Sequence, residues 1–473
     1  MDLGKATALG VFASMAAIVS SIVRSKVAAV YLGPEGVGMI AEIQQYVNLG
    51  LIPTSVFVGP ALVQALARER REGSTPRVVA ASATWFVAFS IVLGVGVVSF
   101  TPFGLPSPWA AGKEGWVALV VLGALGVAAM GIPMTVLTFD GRLKESTRFQ
   151  IANAVAIMLG AIALTPGFGV VGQLAAIALG PLILIPLVIR AARRSRVWPP
   201  GHAATFDTPF LARALEIGAA SLVSGLSMQG ALYFVRWNLE AKGGPEANGQ
   251  FQAAYAIGSA YLGVLLAGIA TYLYPRYANA SDEAALEVEV NTAARFISAL
   301  APPIVLLALA FSDVAVHLLY SSRFETTAEI LKWQLAGDAA KCLAWVYAGP
   351  LLFRGRIRAY VGTELVAAGV LALSAWVFIH LNGLVGIGQA YLFTYVLYLP
   401  IAALVVRVSC GVRPRVRELS IVGAFTLACG ILSASAVDRT LMRLGGVSAA
   451  AIWLWRDPES RAALRAIFRS KGG

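Results

Sequence analysis

The chain has 473 residues, of which 58% are hydrophobic and 13% are charged, whereas soluble domains have about 45–50% apolar and about 25% charged residues. This composition excludes a soluble enzyme, a disordered chain and a disulfide-stapled domain, and it indicates many membrane spans of about 20 residues each. A net charge of +12 would suggest a nucleic-acid partner in a soluble chain, so the distribution of that charge has to be examined.

The apolar stretches run for about 16 to 30 residues, which favours helices over the ten-residue alternation of barrel strands. The first six spans are predicted at 7–31, 37–66, 78–100, 116–139, 149–164 and 169–189, and the second six at 211–239, 250–274, 294–319, 327–353, 360–379 and 383–406. Two weaker spans follow at 419–437 and 441–455.

These elements predict an all-α integral membrane protein with two six-helix lobes, arranged as parallel repeats around a central cavity, and about two additional C-terminal helices. The total is 12 to 14 transmembrane helices. The predicted domains are an N-terminal lobe, a cytoplasmic linker, a C-terminal lobe, and the extra helices with a basic cytoplasmic tail, at 1–195, 196–210, 211–408 and 409–473.

The basic residues are distributed very unequally between the two sides of the membrane that these spans define. If the N-terminus is cytoplasmic, 27 of the 37 lysines and arginines lie in the inside segments and five lie outside. The positive-inside rule therefore predicts that both termini are cytoplasmic. Most of the net charge is then a signal of topology, and no nucleic-acid partner is needed to explain it.

The two halves share a short motif at equivalent positions. Residues 33–38 read GPEGVG after the first span, and residues 244–249 read GPEANG after the seventh, at an offset of 211. Each copy follows a basic residue at membrane depth, Arg24 or Arg236, and both copies fall on the outer side. This placement favours parallel repeats, as in some transporters, although a common turn motif that arose twice would give the same letters.

Charged side chains at membrane depth are costly, so they mark candidate functional positions. Arg24, Lys26 and Arg236 lie in the outer parts of their spans, where they either snorkel to the headgroups or line the predicted cavity. The tenth span carries Gln334, Asp338, Lys341 and Trp345 at steps of four, three and four, which puts them on one helical face.

The polar face of the tenth span has two interpretations. An ion pair between residues 338 and 341 would neutralise itself and join helices, whereas a polar stripe facing a water-filled cavity would bind cargo. Glu42 and Gln45 in the second span add polarity at depth, and either could equally make an interhelical hydrogen bond. The buried cations outnumber the buried anions, and this balance favours an anionic cargo such as a phosphate.

The sequence contains no pattern for a metal or a nucleotide cofactor. The three cysteines and three histidines never approach ligand spacing, and no nucleotide-binding motif occurs, so we expect no cofactor and no enzymatic reaction. The presumed outer loops are short and carry no catalytic pair.

Three segments resemble the bacterial polysaccharide flippases of the Wzx type, within the multidrug, oligosaccharidyl-lipid and polysaccharide (MOP) exporter superfamily. They are VRSKVAAVYLGPEGVG at 23–38, WQLAGDAAK at 333–341 and GIGQAYLFTYVLY at 386–398. These segments look like the family's LGPxGxG, WQxxGDxxK and GxGxAYxxTYxxY patterns, with the greatest similarity to lipid III and O-antigen flippases. The region after residue 407 departs from a twelve-span pattern.

The resemblance implies an inner-membrane protein that moves an undecaprenyl-diphosphate-linked oligosaccharide from the cytoplasmic to the periplasmic leaflet by alternating access. Membrane lipid, a polysaccharide polymerase and chain-length proteins are the implied partners. The implied substrate-binding residues are Arg24, Lys26, Glu42, Gln45, Arg236, Gln334, Asp338 and Lys341. Two alternatives remain open at this stage, namely a cation-coupled multidrug exporter of the same superfamily and a non-transporting membrane partner of polysaccharide assembly.

Overall fold

The computed structural model describes residues 3–58, 62, 65–66, 75–100, 113–199, 205–435 and 439–456. The basic cluster at 68–71, residues 101–112 of the outer loop and the predicted tail after residue 456 lie outside the described residues, as do residues 200–204 of the predicted linker 196–210. All regular structure in the described part is helical, which confirms the predicted fold class.

The helices of the first part of the chain are long and apolar. They are α1 (Leu3–Tyr31), α2 (Gly33–Leu51), a 3₁₀ segment (Ile52–Phe57), α3 (Thr75–Ser99), α4 (Glu114–Phe139) and α5 (Leu143–Ala192), and they are followed by α6 (Thr208–Asn279). The second predicted span, 37–66, is not one continuous α-helix, because α2 ends at Leu51 and Pro53 lies in the tighter 3₁₀ turn that follows.

The remaining helices are α7 (Glu283–Ala310), α8 (Ser312–Leu319), α9 (Glu325–Phe353), α10 (Ile357–Asn382), α11 (Gly386–Cys410), α12 (Val416–Ala434) and α13 (Arg439–Arg456). A 3₁₀ turn, Gly383–Val385, joins α10 to α11. The predicted ninth span is divided, since α7 ends at Ala310 and α8 is a separate short helix. Among the described residues, seven helical stretches are long and apolar enough to cross a membrane, or eight if one bent pair counts as a span, and the protein is thus a multi-pass membrane protein.

Two of the helices are too long for one crossing and are broken at a glycine. Helix α5 has 50 residues and α6 has 72, whereas a bilayer core of about 30 Å takes about 20 residues. Gly169 (φ 59°, ψ −135°) breaks α5 and Gly244 (φ 64°, ψ −165°) breaks α6. The break at Gly244 falls between two predicted spans, and the break at Gly169 falls on the first residue of the predicted sixth span. The left-handed φ explains why glycine occupies both positions.

The backbone repeats this pattern of turns along the chain. Positive φ values occur in the first half at residues 33, 141 and 169, and they recur at 244, 355 and 383, which are offsets of 211, 214 and 214. The turn at 141–144 reads GRLK, and the turn at 355–358 reads GRIR. Their hydrogen bonds also correspond, with Arg142 N donating to Leu137 O and Arg356 N donating to Leu351 O, each at 2.8 Å. The structure therefore extends the internal repeat beyond the single motif that the sequence indicated.

The described chain forms two compact units, and their boundary falls inside α6, between Gly249 and Gln250. The first unit also includes residues 319–321. Its core is built where α2 packs against α3, α4 and α5, around Ile43, Val47 and Leu174. In the second unit, α9 is the central helix and packs against α7, α10, α11 and α12.

Candidate functional site

Helix α9 carries the polar residues that the spacing placed on one face, and these residues lie in the second unit. Asp338 is fully buried at 0% exposure and Gln334 is buried at 3%, while Lys341 is half-buried. A carboxylate at such depth is costly unless its oxygens are hydrogen-bonded. The contacts of Asp338 therefore determine what this face does.

Two tyrosines satisfy the buried carboxylate. The Tyr391 hydroxyl donates to Asp338 Oδ1 at 2.8 Å, and the Tyr261 hydroxyl donates to Asp338 Oδ2. Lys341 Nζ donates to the same Tyr391 hydroxyl at 2.9 Å. The carboxylate and the ammonium are thus joined through Tyr391, and the direct ion pair considered from the spacing alone is absent from the described side chains.

Aromatic rings surround the Lys341 ammonium. Its Nζ atom lies 5.1 Å from the ring centroids of both Tyr391 and Tyr395, and these two rings are 4.7 Å apart. A cation within about 6 Å of a ring centroid is attracted by the negative face of the ring. Lys341 is therefore held between the side chains of Tyr391 and Tyr395, with a hydrogen bond to each hydroxyl, and these contacts fix the position of its charge.

Small residues allow α9 and α11 to approach closely enough for these contacts. A Cβ added at Gly337 would lie 3.2 Å from Leu392 Cα and 3.3 Å from Tyr391 Cδ1, and one added at Gly388 would lie 2.6 Å from the Ile330 carbonyl oxygen. Such close backbone approach is typical of helix packing in membranes. It brings the Tyr391 hydroxyl within hydrogen-bonding distance of α9.

In the first unit, α1 presents two of the predicted cations. Lys26 Nζ donates to the Tyr320 carbonyl oxygen, which belongs to the short segment 319–321 of the same unit. Arg24 is half-buried beside Tyr320, and its guanidinium makes no hydrogen bond or ion pair with another described side chain. Arg24 therefore retains its capacity to bind an anion, whereas Lys26 is engaged by a carbonyl.

Arg236 lies in a different environment within the same unit. Its side chain is only 2% exposed, and the charge of Glu42, itself 1% exposed, acts on it at short range. Glu240 also faces Glu42 and accepts a hydrogen bond of 2.8 Å from Asn248 Nδ2. Arg236 is therefore accompanied by two buried carboxylates, and sequence reasoning overlooked Glu240 as the second of these.

Gln45 connects α2 to α6. Its Nε2 atom lies 2.9 Å from the Gln229 carbonyl oxygen and 3.0 Å from Gln229 Oε1. The rings of Tyr46 and Tyr233 lie alongside, with centroids 6.3 Å apart. This is the interhelical hydrogen bond that the sequence left open as one interpretation of a polar residue at depth.

The structure sorts the eight predicted site residues into groups. Gln334, Asp338 and Lys341 lie together on α9, and the other five lie in the first unit. The most important residues missed are Tyr261, Tyr391 and Tyr395. The spacing of tyrosines at 391, 395 and 398 was a usable signal, because steps of four and three place them on one face of α11.

The chain was compared with known proteins once this geometry was established. The lipid III flippase of Escherichia coli strain K12 is 24% identical over 409 residues, which cover 84% of this chain and 96% of the flippase. The structure of the lipid II flippase MurJ in its inward closed conformation matches with a TM-score of 0.73 at 12% identity, over 98% of this chain and 99% of that one. An inward-facing multidrug resistance MATE transporter of the MOP superfamily matches with a TM-score of 0.70 at 17% identity, over 86% and 95%. No family model matches the chain.

These comparisons confirm the resemblance that the three sequence segments indicated. The chain has the fold of the MOP-superfamily transporters, and the similarity to a lipid III flippase extends over most of its length. The relatives are named for transport and not for a catalysed reaction, in agreement with the expectation that this chain is not an enzyme.

Proposed function

We propose that this chain is a flippase that moves an undecaprenyl-diphosphate-linked oligosaccharide, of the lipid III or O-antigen type, from the cytoplasmic to the periplasmic leaflet of the inner membrane by alternating access. The similarity to a lipid III flippase over 84% of the chain supports this function. The structural observation that carries it is the Lys341 ammonium, which is half-buried, fixed by Tyr391 and flanked by aromatic rings.

The chemistry of the headgroup matches these side chains. A diphosphate needs cations and hydrogen-bond donors, and a guanidinium binds phosphate through its planar fork. Arg24, Lys26 and Lys341 are half-buried, and Lys26 differs from the other two because it donates to the Tyr320 carbonyl oxygen. Neither Arg24 nor Lys341 is paired directly with a carboxylate among the described residues. In this proposal these two cations bind the diphosphate or acidic sugars, while the polyprenyl chain remains in the lipid.

The proposal also includes the membrane topology of the chain, that is, which turns and termini face the cytoplasm. Basic residues cluster at the turns beside Gly141 and Gly355, which correspond to each other in the internal repeat. By the positive-inside rule these turns face the cytoplasm, and so do both termini. A periplasmic polymerase and chain-length proteins would then receive the translocated glycan.

The proposal is tested by complementation in a flippase-null strain. Arg24→Ala and Lys341→Met should each reduce surface glycan, because loss of one charge-assisted hydrogen bond weakens binding by roughly tenfold to a hundredfold. Lys332→Met is the matched control, since Lys332 lies on the same helix and is paired with Glu329 at 2.7 Å. Undiminished glycan in both test variants, at equal protein levels, would refute the assigned cations.

A multidrug exporter is the second candidate, and a specific observation favours testing it. The first unit buries two carboxylates, Glu42 and Glu240, beside Arg236, an arrangement that could respond to a coupling cation. A drug-resistance assay run beside the glycan assay separates the two functions. Resistance without glycan transfer would favour the exporter, and reconstituted vesicles that flip a labelled lipid-linked sugar would exclude a non-transporting scaffold.

A further inference from the structure

The buried carboxylate on α9 is not available to a substrate. Asp338 has no exposed surface, and each of its oxygens already accepts a tyrosine hydroxyl, from Tyr261 and from Tyr391. A substrate phosphate would also be repelled by this charge. Asp338 therefore affects substrate binding only through the tyrosines that are hydrogen-bonded to it, Tyr261 and Tyr391.

The Tyr391 hydroxyl has one proton, and the geometry determines its direction. The hydroxyl donates to Asp338 Oδ1 at 2.8 Å, which leaves its lone pairs to accept from Lys341 Nζ at 2.9 Å. The three groups form a chain in which the lysine donates to the tyrosine and the tyrosine donates to the carboxylate. Such a chain strengthens each of its members through mutual polarisation.

The ammonium at the end of this chain retains a donor for a ligand. Lys341 has three N–H donors, of which one is used on Tyr391 and a second on the Tyr395 hydroxyl, so one is left. The rings of Tyr391 and Tyr395 confine the ammonium from two sides. Lys341 as a residue is half-buried and not fully enclosed, in contrast to Asp338.

We propose that Tyr391 is a positioning residue for substrate binding. Its hydroxyl is held in place by the hydrogen bond that it donates to Asp338, and it accepts a hydrogen bond from Lys341. In this way Tyr391 fixes the position of the ammonium that binds an anionic headgroup. This inference rests on the proposed function, because it assigns to Lys341 the diphosphate of a lipid-linked glycan. It predicts that the hydroxyl of Tyr391 matters for affinity, even though the hydroxyl itself does not contact the substrate.

The direct test is Tyr391→Phe, which removes the hydroxyl and keeps the ring beside Lys341. In vesicles that contain the full chain and a labelled lipid-linked sugar, the KM for the lipid should rise about three- to tenfold, the effect of one hydrogen bond, with kcat little changed. Tyr261→Phe removes a donor to the same carboxylate without touching Lys341 and should raise KM less. Tyr398→Phe is the same change on the same helix, at a hydroxyl 3.4 Å from Glu364 Oε1, and should leave KM unchanged.

A double-mutant cycle separates positioning from a merely structural role. Binding of farnesyl diphosphate to the purified full chain, as a probe of the headgroup, is measured for wild type, Tyr391→Phe, Lys341→Met and the double variant. If Tyr391 acts through Lys341, its substitution weakens binding in the wild type and has no further effect in the Lys341→Met background. Equal weakening in both backgrounds, or none in the wild type, would overturn the inference.

The outcomes distinguish this inference from the proposed function. A wild-type protein that binds farnesyl diphosphate with the predicted coupling, but flips no lipid-linked sugar, would contradict the flippase function and leave the positioning role supported. A wild type that flips the sugar while Tyr391→Phe behaves like Tyr398→Phe would refute the positioning role alone. Absence of both flipping and farnesyl diphosphate binding in the wild type would refute both.

Discussion

The contact between the two copies of the GPExxG motif gives the most specific prediction about stability. In the first unit, a Cβ added at Gly38 would overlap the Pro245 carbonyl oxygen, and one added at Gly249 would overlap the Pro34 carbonyl oxygen. The two positions are 211 residues apart, like the motifs themselves. Each turn therefore places its last glycine on the proline carbonyl of the other turn, and this reciprocal packing has no room for alanine.

The size of the effect follows from the distances. A Cβ at Gly38 would also lie 2.8 Å from Gly249 N, so an ordinary contact of 3.4 Å requires a shift of about 0.6 Å even there. The obstructing atoms belong to the backbone and cannot rotate away. Overpacking of this kind costs about 1–3 kcal/mol, offset by up to about 1 kcal/mol of helix propensity, and we expect a net loss of about 2 kcal/mol for either Gly38→Ala or Gly249→Ala.

The assay is thermal unfolding of the purified protein in detergent, in which 1 kcal/mol corresponds to a shift of about 1 °C for a chain of 473 residues. Each single variant should melt about 2 °C lower than the wild type. Gly96→Ala, on α3, is the control because nothing lies within 4 Å of its added Cβ, and it should be neutral or slightly stabilising.

The double variant tests the reciprocity itself. Once the first Cβ has separated the two turns, the second should enter at little extra cost, so the loss in the double variant should be close to that of one single variant. Losses that add within about 0.5 kcal/mol would show that the two contacts are independent. Unchanged melting in both single variants would show that the turns do not pack as described.

Two further predictions concern the second unit. Gly388→Ala should lower the melting temperature and reduce transport, because its Cβ would lie 2.6 Å from the Ile330 carbonyl oxygen. Gly369→Ala is the control and should be tolerated, because nothing lies within 4 Å of its added Cβ. Equal melting temperatures of the two variants would contradict the packing of α9 on α11. Asp282→Ala should destabilise by about 1 kcal/mol, since the Asp282 side chain caps α7 by accepting from Ala285 N at 2.7 Å. Asp282→Asn, which preserves an acceptor, should recover most of that loss in the same melting assay.

Composition and periodicity were sufficient to predict the fold class, because the cost of an unpaired backbone group in lipid leaves helices as the main solution for long apolar runs. Helix ends were harder to predict from hydropathy. Hydropathy extended the second span through residue 66, yet the α-helix ends at Leu51, before Pro53, because hydropathy does not register the change to a 3₁₀ turn. The break of α5 at Gly169 lies one residue after the predicted connection at 165–168, and it was anticipated because the apolar run exceeds the length of one span.

The candidate site was predicted one helix at a time. Spacing alone put Gln334, Asp338 and Lys341 on one face, since that relation is internal to α9. The partners from α6 and α11, Tyr261 and Tyr391, depend on the relative register of helices that are distant in sequence, about which a single sequence contains little information. The spacing therefore left a direct ion pair open beside a polar stripe that faces a cavity, whereas the structure has a tyrosine between the two charges.

Charge neutralisation separates the predicted cations into two kinds. Arg236 lies near Glu42 and Glu240, so a ligand anion there would compete with two carboxylates already in place. Arg24 and Lys341 are half-buried and have no carboxylate in direct contact among the described residues, so an arriving phosphate displaces no ion pair there, although the nearby Asp338 charge reduces the attraction of Lys341. An excess of buried cations over anions, which suggested an anionic cargo from the sequence, is thus informative only after each cation has been assigned its local partners. With Glu240 counted as a partner of Arg236, Arg24 on α1 and Lys341 on α9 remain as the cations that account for anion binding. This assignment predicts that Arg236→Ala reduces the stability of the fold more than it reduces the affinity for the headgroup.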